Sequence, residues 1–120
     1  MHDFTDLIDR YIAIWNETDA EARHDLIART WDEHASYRDP LMQGDGHAEI
    51  DAMIRYVQAR FPAHRLQRSG AVDHIQDRVR FAWQLAAASG PVIAAGTDFG
   101  IVAADGRLQA ITGFLDSVPA

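Results

Sequence analysis

The sequence predicts an α+β fold in which three N-terminal helices pack on a curved, mostly antiparallel sheet. The first observation is that apolar residues recur every three or four positions as far as Phe61, which is the period of an amphipathic helix. The second is that apolar and polar residues alternate further along the chain, as they do in half-buried strands. A chain of 120 residues builds one core of ordinary size, so we expect residues 1–120 to form a single domain.

Polar segments and a proline divide the helical half into three predicted helices. The first helix ends at "NETD", and Asp3 or Thr5 is expected to cap its start. Asp19 is expected to cap a second helix, which carries Leu26, Ile27 and Trp31. Pro62 marks the end of the third helix. The remaining apolar stripes are Phe4, Leu7, Ile8, Tyr11, Ile12 and Trp15 in the first helix, and Ile50, Met53, Ile54, Val57 and Phe61 in the third.

The extended segments begin with a short strand, "HASYRD". Pro40 disfavours helical backbone at the residue before it, so Asp39 should lie at the extended end of this strand. The "QGDG" that follows is predicted to be a loop. Turn signals at "SGP" and "ADGR" separate the later strands. These strands are predicted at "RLQRSGAVDHI", "RVRFAWQL", "VIAAGTDFGIV" and "LQAITGFLDSV".

The composition excludes several classes of function. A net charge of −7 argues against a nucleic-acid partner, because phosphate backbones require basic surfaces. There is no cysteine for disulfides or Cys-based zinc sites, and no lysine for Schiff-base chemistry. The six histidines have no close metal-binding spacing, so we expect no metal and no cofactor. Since neither a secretory signal nor a membrane span is evident, we expect a soluble cytoplasmic protein without a membrane partner.

Asp98 lies in the strand "VIAAGTDFGIV", and its environment has two interpretations. The face that carries Asp98 otherwise holds small or flexible residues, which leave space beside a carboxylate. In the functional interpretation this space is a cavity. In the structural interpretation, Asp98 faces solvent and the glycines mark a bulge. The alternation of residues along the strand favours these two interpretations about equally. The residues that share the Asp98 face are Ala94, Gly96, Gly100 and Val102.

The opposite face of the Asp98 strand is also apolar, since it carries Ile93, Phe99 and Ile101. The final strand has the same character on both of its faces. A sheet covered on both sides accounts for this pattern, with helices on one side and a partner subunit on the other. We therefore expect a homodimer that forms through the outer face of the sheet.

Three residues now stand out in order along the chain: Tyr11 in "LIDRYIAIW", Asp39 in "YRDP" and Asp98 in "AAGTDFG". Their order and context resemble the superfamily of ketosteroid isomerases and SnoaL-like polyketide cyclases, which has the cone-shaped, cystatin-like fold of nuclear transport factor 2. The resemblance covers nearly the whole chain. Its further landmarks are "WNETD", "WDEHASYRDP", "GHAEI", "DGRL" and "GFLD".

The resemblance implies a small-molecule enzyme that moves protons on a hydrophobic carbonyl compound. In ketosteroid isomerases an aspartate is the general base, while a tyrosine and a protonated aspartate stabilise the oxyanion. The matching positions here are Asp39 as base, with Tyr11 and Asp98 as donors. An apolar cavity wall would keep Asp98 protonated by penalising its charged form. The resemblance places Val79, Phe81, Trp83, Ile111, Gly113 and Leu115 on that wall, and Trp15 is interpreted as a cavity or core aromatic.

Each of these residues also has a structural interpretation. Asp39 could form an Asx turn before Pro40, and Tyr11 could be a packed core aromatic. His74 could point into the cavity as a further acid–base group or could be an ordinary strand histidine. The same pocket could instead hold a ligand without catalysis, or serve as a dimerisation module. Hydration or dehydration chemistry is a third alternative, which His74 near Asp39 would favour.

Overall fold

The computed structural model describes residues 4–117 and confirms an α+β fold with the helices first. The helices are α1 (Thr5–Asn16), α2 (Ala20–Thr30) and α3 (Gly46–Arg60). The strands are β1 (Trp31–Arg38), β2 (Gln43–Asp45), β3 (His64–Ile75), β4 (Arg78–Ala87), β5 (Val92–Val102) and β6 (Leu108–Ser117). Within the described residues, no helix is long and apolar enough to cross a membrane.

Three of the four helix boundaries predicted from the sequence are confirmed, and the first of these is the end of α1 at Asn16, in "NETD". Asp19 caps α2 by accepting a hydrogen bond from the backbone N–H of Ala22 at 2.9 Å, as predicted. Arg60 is the last residue of α3, two positions before Pro62. Thr5, in contrast, is already inside α1, and the position before it makes no side-chain capping bond. The other expected cap, Asp3, lies outside the described residues.

Two expectations about the second quarter of the chain are wrong. Trp31 is not part of α2 but begins β1, where it lies opposite Leu108 of β6. The segment "QGDG" is not wholly a loop, because Gln43–Asp45 forms a short strand antiparallel to the end of β1. Pairing with other strands decides both cases, and such long-range contacts override local periodicity.

The strand order is β2-β1-β6-β5-β4-β3, and every neighbouring pair is antiparallel except β1 and β6, which are parallel. The insertion of β1 beside β6 positions the site. Arg38, the last residue of β1, lies opposite Thr112, and the next residue of β6, Gly113, lies opposite Asp98 of β5. Asp39 is therefore brought beside Asp98, although 59 residues of chain separate them in the sequence.

The core lies between the helices and the concave face of the sheet. Ile8, Tyr11 and Ile14 of α1 are fully buried, as are Ile50 and Ile54 of α3. Each buried side chain of this kind contributes roughly 1.5–3 kcal/mol relative to exposure. Val79, Phe81, Leu108 and Ile111 complete the core from the sheet. The Asp98 face of β5 is thus the inner face of the sheet, and the face with Phe99 is the outer one.

Candidate functional site

Tyr11, Asp39 and Asp98 converge at the inner face of β5 and β6. The phenol of Tyr11 donates a hydrogen bond to Oδ2 of Asp98 at 3.0 Å, which joins α1 to β5. Gly113 makes room for the two carboxyl groups: a methyl group on it would lie 2.9 Å from Asp98 Oδ1 and 3.3 Å from Asp39 Cβ. The three side chains therefore surround one small space on the sheet.

Asp98 is a buried acid, with 2% of its surface exposed. Burial raises its pKa to about 6, since a carboxylate is poorly solvated there. Hydrogen bonds from Trp83 and Tyr11 lower this pKa, and the nearby Asp39 raises it. Asp98 is consequently protonated in a much larger fraction of molecules near neutral pH than an ordinary aspartate.

The two oxygens of Asp98 are not equivalent. The indole Nε1–H of Trp83 donates to Oδ1 at 2.9 Å, and an indole N–H can only donate, so Oδ1 always accepts. The proton of the neutral acid is therefore favoured on Oδ2, where it can be donated to the Tyr11 oxygen. In that state the hydroxyl hydrogen of Tyr11 is released from Asp98 and can bind an acceptor in the cavity.

Asp39 is both a turn former and a cavity residue, so the two interpretations of the sequence are compatible. Its Oδ1 accepts the backbone N–H groups of Leu41 and Met42 at 2.7 and 2.9 Å, as an Asx turn requires. Its Oδ2 accepts the phenol of Tyr37 at 2.7 Å. A carboxylate oxygen has two acceptor sites, so the described residues leave one site of Oδ2 available to a substrate.

Tyr37 is a site residue to which the sequence did not point. It is buried, and the pKa of its phenol is raised well above the usual range by burial, then by Asp98 and Asp39. The same causes, burial and then Asp98, raise the pKa of Tyr11. Both phenols thus keep their protons and remain donors. The alternation along β1 could have indicated the role of Tyr37. Ala35 and Tyr37 are buried on the side of the strand that leads to Asp39.

The three residues lie at one end of a cavity of about 1000 Å³. Trp15, Trp83 and Leu115 line this cavity. The prediction that Val79, Phe81 and Ile111 line the cavity is wrong. Their side chains are packed in the core and do not reach the cavity surface. Gly113 lies beneath Asp98 and Tyr37 instead of on the wall, since its backbone is what allows their close approach.

One face of α3 forms much of the cavity wall opposite the sheet. The apolar stripe of α3 in the sequence did not indicate that this helix lines a cavity. Ala52, Met53, Tyr56, Val57 and Arg60 recur at helical spacing along this wall. Leu41 and Tyr56 are largely exposed, so they lie at the rim. Further apolar lining comes from Met42, Phe61, Leu66, Leu85 and Ala94.

His74 does not point into this cavity, so that expectation is wrong. Its side chain is exposed and packs edge-on against Phe4, with the ring centroids 5.4 Å apart. It lies opposite Val79 in the β3–β4 pair and so shares the inner face of the sheet. However, Phe4 lies at the start of α1, whereas the cavity is lined by Tyr11, at the middle of the helix, and Trp15, near its end. Among the described residues, no group of acidic residues and histidines could hold a metal ion.

Comparison with solved structures shows the family. A protein from Agrobacterium tumefaciens strain C58, described as a candidate isomerase of the SnoaL-like family, is 38% identical in sequence. The alignment covers 98% of this chain and 100% of that one, with a TM-score of 0.91. This chain belongs to the SnoaL-like family.

Other solved structures share the fold of this SnoaL-like chain at lower identity. An NTF2-like protein of unknown function from Exiguobacterium sp. 255-15 is 22% identical, with a TM-score of 0.72 over 92% of this chain and 98% of that one. A candidate SnoaL-like polyketide cyclase from Jannaschia sp. CCS1 is 16% identical, with a TM-score of 0.76 over 95% and 85% of the two chains. None of the protein-family models matches the chain, and none of the curated proteins does.

Proposed function

We propose that this SnoaL-like protein catalyses a cofactor-free acid–base isomerisation or cyclisation of a hydrophobic carbonyl compound. The observation that carries the proposal is the convergence of a partly available carboxylate, Asp39, and a phenol backed by a buried acid, Tyr11 with Asp98, at one end of an apolar cavity. A base and an oxyanion donor are the two groups that enolate chemistry requires.

The reaction begins when Oδ2 of Asp39 removes a proton from a carbon next to the substrate carbonyl. The electron pair of the broken C–H bond moves towards the carbonyl oxygen, which becomes an enolate oxygen. The Tyr11 hydroxyl donates to this oxygen, and protonated Asp98 donates to Tyr11 from behind. Return of the proton from Asp39 to another carbon yields an isomer. Alternatively, the enolate carbon attacks a second carbonyl carbon, whose C=O π bond opens to an alkoxide that takes the proton from Asp39, and a ring is formed.

The cavity supports this chemistry because apolar side chains surround both groups. Trp15 packs edge-on against Tyr11 and also against Tyr37, with ring centroids 6.4 and 5.8 Å apart. These contacts limit the rotation of the two phenols and exclude water from them. Hydrogen bonds to a developing charge are stronger in such a site than in water.

A second candidate function is a non-catalytic pocket that binds a small ligand. It is favoured by the structural use of both carboxyl groups: Asp39 closes the turn after β1, and Asp98 ties α1 to the sheet. Hydration or dehydration assisted by His74 loses its support, because that histidine lies outside the cavity.

Titration with a fluorescent phenol of the equilenin type, which mimics the enolate, tests the proposal. We expect Asp98→Ala to weaken phenol binding strongly, and Asp39→Asn to preserve or improve it because a negative charge beside the phenolate is removed. Asp105→Asn is the matched control, since Asp105 is an exposed turn residue. A binding constant that is indifferent to both site substitutions would favour the non-catalytic pocket.

Proton exchange is the more direct test, because it requires no knowledge of the natural substrate. A hydrophobic ketone incubated with the protein in D₂O should exchange the hydrogens next to its carbonyl, as followed by proton NMR. We expect Asp39→Asn to reduce this exchange to the rate without protein, while Asp105→Asn retains it. Ketone binding without exchange in the wild-type protein would contradict the proposed catalysis.

A further inference from the structure

Among the residues that the structure describes, Arg60 differs from nearly all other arginines in having no hydrogen-bond or ion-pair partner. Of the eleven arginines, eight form ion pairs with aspartates and Arg10 donates to Thr30 and to a backbone carbonyl. Within residues 4–117, Arg60 and Arg65 make neither a hydrogen bond nor an ion pair. The guanidinium carbon of Arg60 lies 5.9 Å from the centroid of the Phe61 ring.

Only Arg60 of these two lines the cavity, and it is the one arginine among the described lining residues. Its position in the last turn of α3 is favourable for a cation, because the helix dipole is negative there. The helix dipole interacts with the charge of the Arg60 guanidinium but does not occupy its five N–H donors. The guanidinium can therefore bind an anionic group held in the cavity.

The charges along the cavity are separated by sign. The carboxylates of Asp39 and Glu49 lie at the end where α3 begins. Tyr37, which binds Asp39, pairs with Gly44 of β2, and a methyl group on Gly44 would lie 3.2 Å from the backbone of Glu49. Arg60 lies at the other end of the same helix face. Ala52 and Arg60 are eight positions apart in the helix, which corresponds to about 12 Å along its axis. An anionic group would be repelled from the first end and attracted to the second.

We propose that the ligand is an amphipathic oxo acid, whose carboxylate pairs with Arg60 while its apolar body and carbonyl extend towards Tyr11 and Asp39. The assignment of the carbonyl end rests on the proposed function, whereas the assignment of the anionic end rests on Arg60 alone. His64 lies on the same wall and has its Nδ1 2.9 Å from the carbonyl oxygen of Pro62. That carbonyl can only accept, so Nδ1 carries a hydrogen, and Nε2 of the neutral ring can accept a hydrogen bond from a ligand hydroxyl group but cannot donate to a carboxylate.

Two phenols that differ only in a carboxylate test this inference: 2-naphthol and 6-hydroxy-2-naphthoic acid. At low ionic strength we expect the wild-type protein to bind the acid roughly fivefold more tightly, as is typical of a partly exposed ion pair. Arg60→Gln should abolish this preference, so that the ratio of the two dissociation constants falls to about one. Arg65→Gln is the matched control, because it removes the same charge from a neighbouring arginine outside the cavity lining.

The outcomes separate the two proposals. Equal binding of both phenols by the wild-type protein would contradict the role of Arg60 but not the proposed pocket chemistry. Equal loss of preference in Arg60→Gln and Arg65→Gln would also contradict it, since a general charge effect would then explain the result. Binding of neither phenol would contradict both the anionic-end assignment and the proposed function.

Discussion

The indole of Trp83 donates to Oδ1 of Asp98 over 2.9 Å, so a strand residue fixes which oxygen of the buried acid accepts. Because this hydrogen bond favours the carboxylate, its removal in Trp83→Phe should raise the pKa of Asp98 above its value of about 6. The measurement is the pH titration of the Asp98 carboxyl carbon by ¹³C NMR. The matched control is Trp31→Phe, because the indole N–H of Trp31 is buried without a hydrogen-bond partner among the described residues and Trp31 does not line the cavity. An unchanged titration in Trp83→Phe would contradict the assigned contact.

The raised pKa of Asp98 also predicts how stability depends on pH. The folded protein holds this proton up to about pH 6, whereas an unfolded chain releases it near pH 4, so the contribution of Asp98 to stability falls between these values. The contribution is fully present below pH 4 and lost above pH 6. The two-unit difference corresponds to roughly 3 kcal/mol. Urea unfolding at pH 4 and pH 7 should give a larger pH-dependent loss of stability in the wild-type protein than in Asp98→Asn; equal losses would exclude the raised pKa.

The sequence predicts the elements of this fold better than their pairing. The bounds of β5 coincide with the predicted strand "VIAAGTDFGIV", because the turn signals "SGP" and "ADGR" flank it in the sequence. Trp31 continues a helical stripe in the sequence, yet it starts a strand because β6 offers it a partner. Such pairing joins residues that are distant in sequence, so the residues next to Trp31 in the chain do not indicate it.

The site shows the same division between local and non-local information. Tyr37 and Asp39 are two positions apart, so their contact is local, but both reach Asp98 only because β1 inserts next to β6. His74 shows the opposite error: alternation indicates which face of the sheet it shares, but not how far along that face it lies from the cavity. A single sequence therefore predicts the acids more readily than the residues that orient them.

Gly113 should be difficult to replace, because three side chains of the site lie against it. A methyl group there would lie 2.9 Å from Asp98 Oδ1, 3.2 Å from the Tyr37 oxygen and 3.3 Å from Asp39 Cβ. Gly113→Ala should therefore displace the base and the acid, reduce ketone exchange at least tenfold, and destabilise the protein by about 1–3 kcal/mol. Gly90→Ala, in an exposed turn, should leave the exchange rate near that of the wild-type protein. A variant at Gly113 with full exchange activity would contradict the proposed arrangement.

Tyr37 is expected to act on the reaction by orienting Asp39. Tyr37→Phe removes the hydrogen bond to Oδ2, so the carboxylate becomes free to rotate about the Asx turn. We expect ketone exchange to fall about tenfold, with unchanged ketone affinity, and the free energy of unfolding to fall by about 1 kcal/mol. Tyr56→Phe is the control, because Tyr56 lines the same cavity but is 62% exposed at its rim. If both variants had the same exchange rate, Tyr37 would have no positioning role.

The outer face of the sheet gives the last prediction. Phe99 and Phe114 are 38% and 57% exposed there, on the adjacent strands β5 and β6. We propose that a second copy of the chain covers these rings, because the outer face of both strands is apolar and burial of this area would stabilise a dimer. Light scattering at micromolar concentration should give twice the monomer mass for the wild-type protein and the monomer mass for Phe114→Glu. Ile75→Glu, which places the same charge at an exposed position near the end of β3, should remain a dimer. A monomeric wild-type protein would contradict the proposal, as would a dimer that tolerates Phe114→Glu.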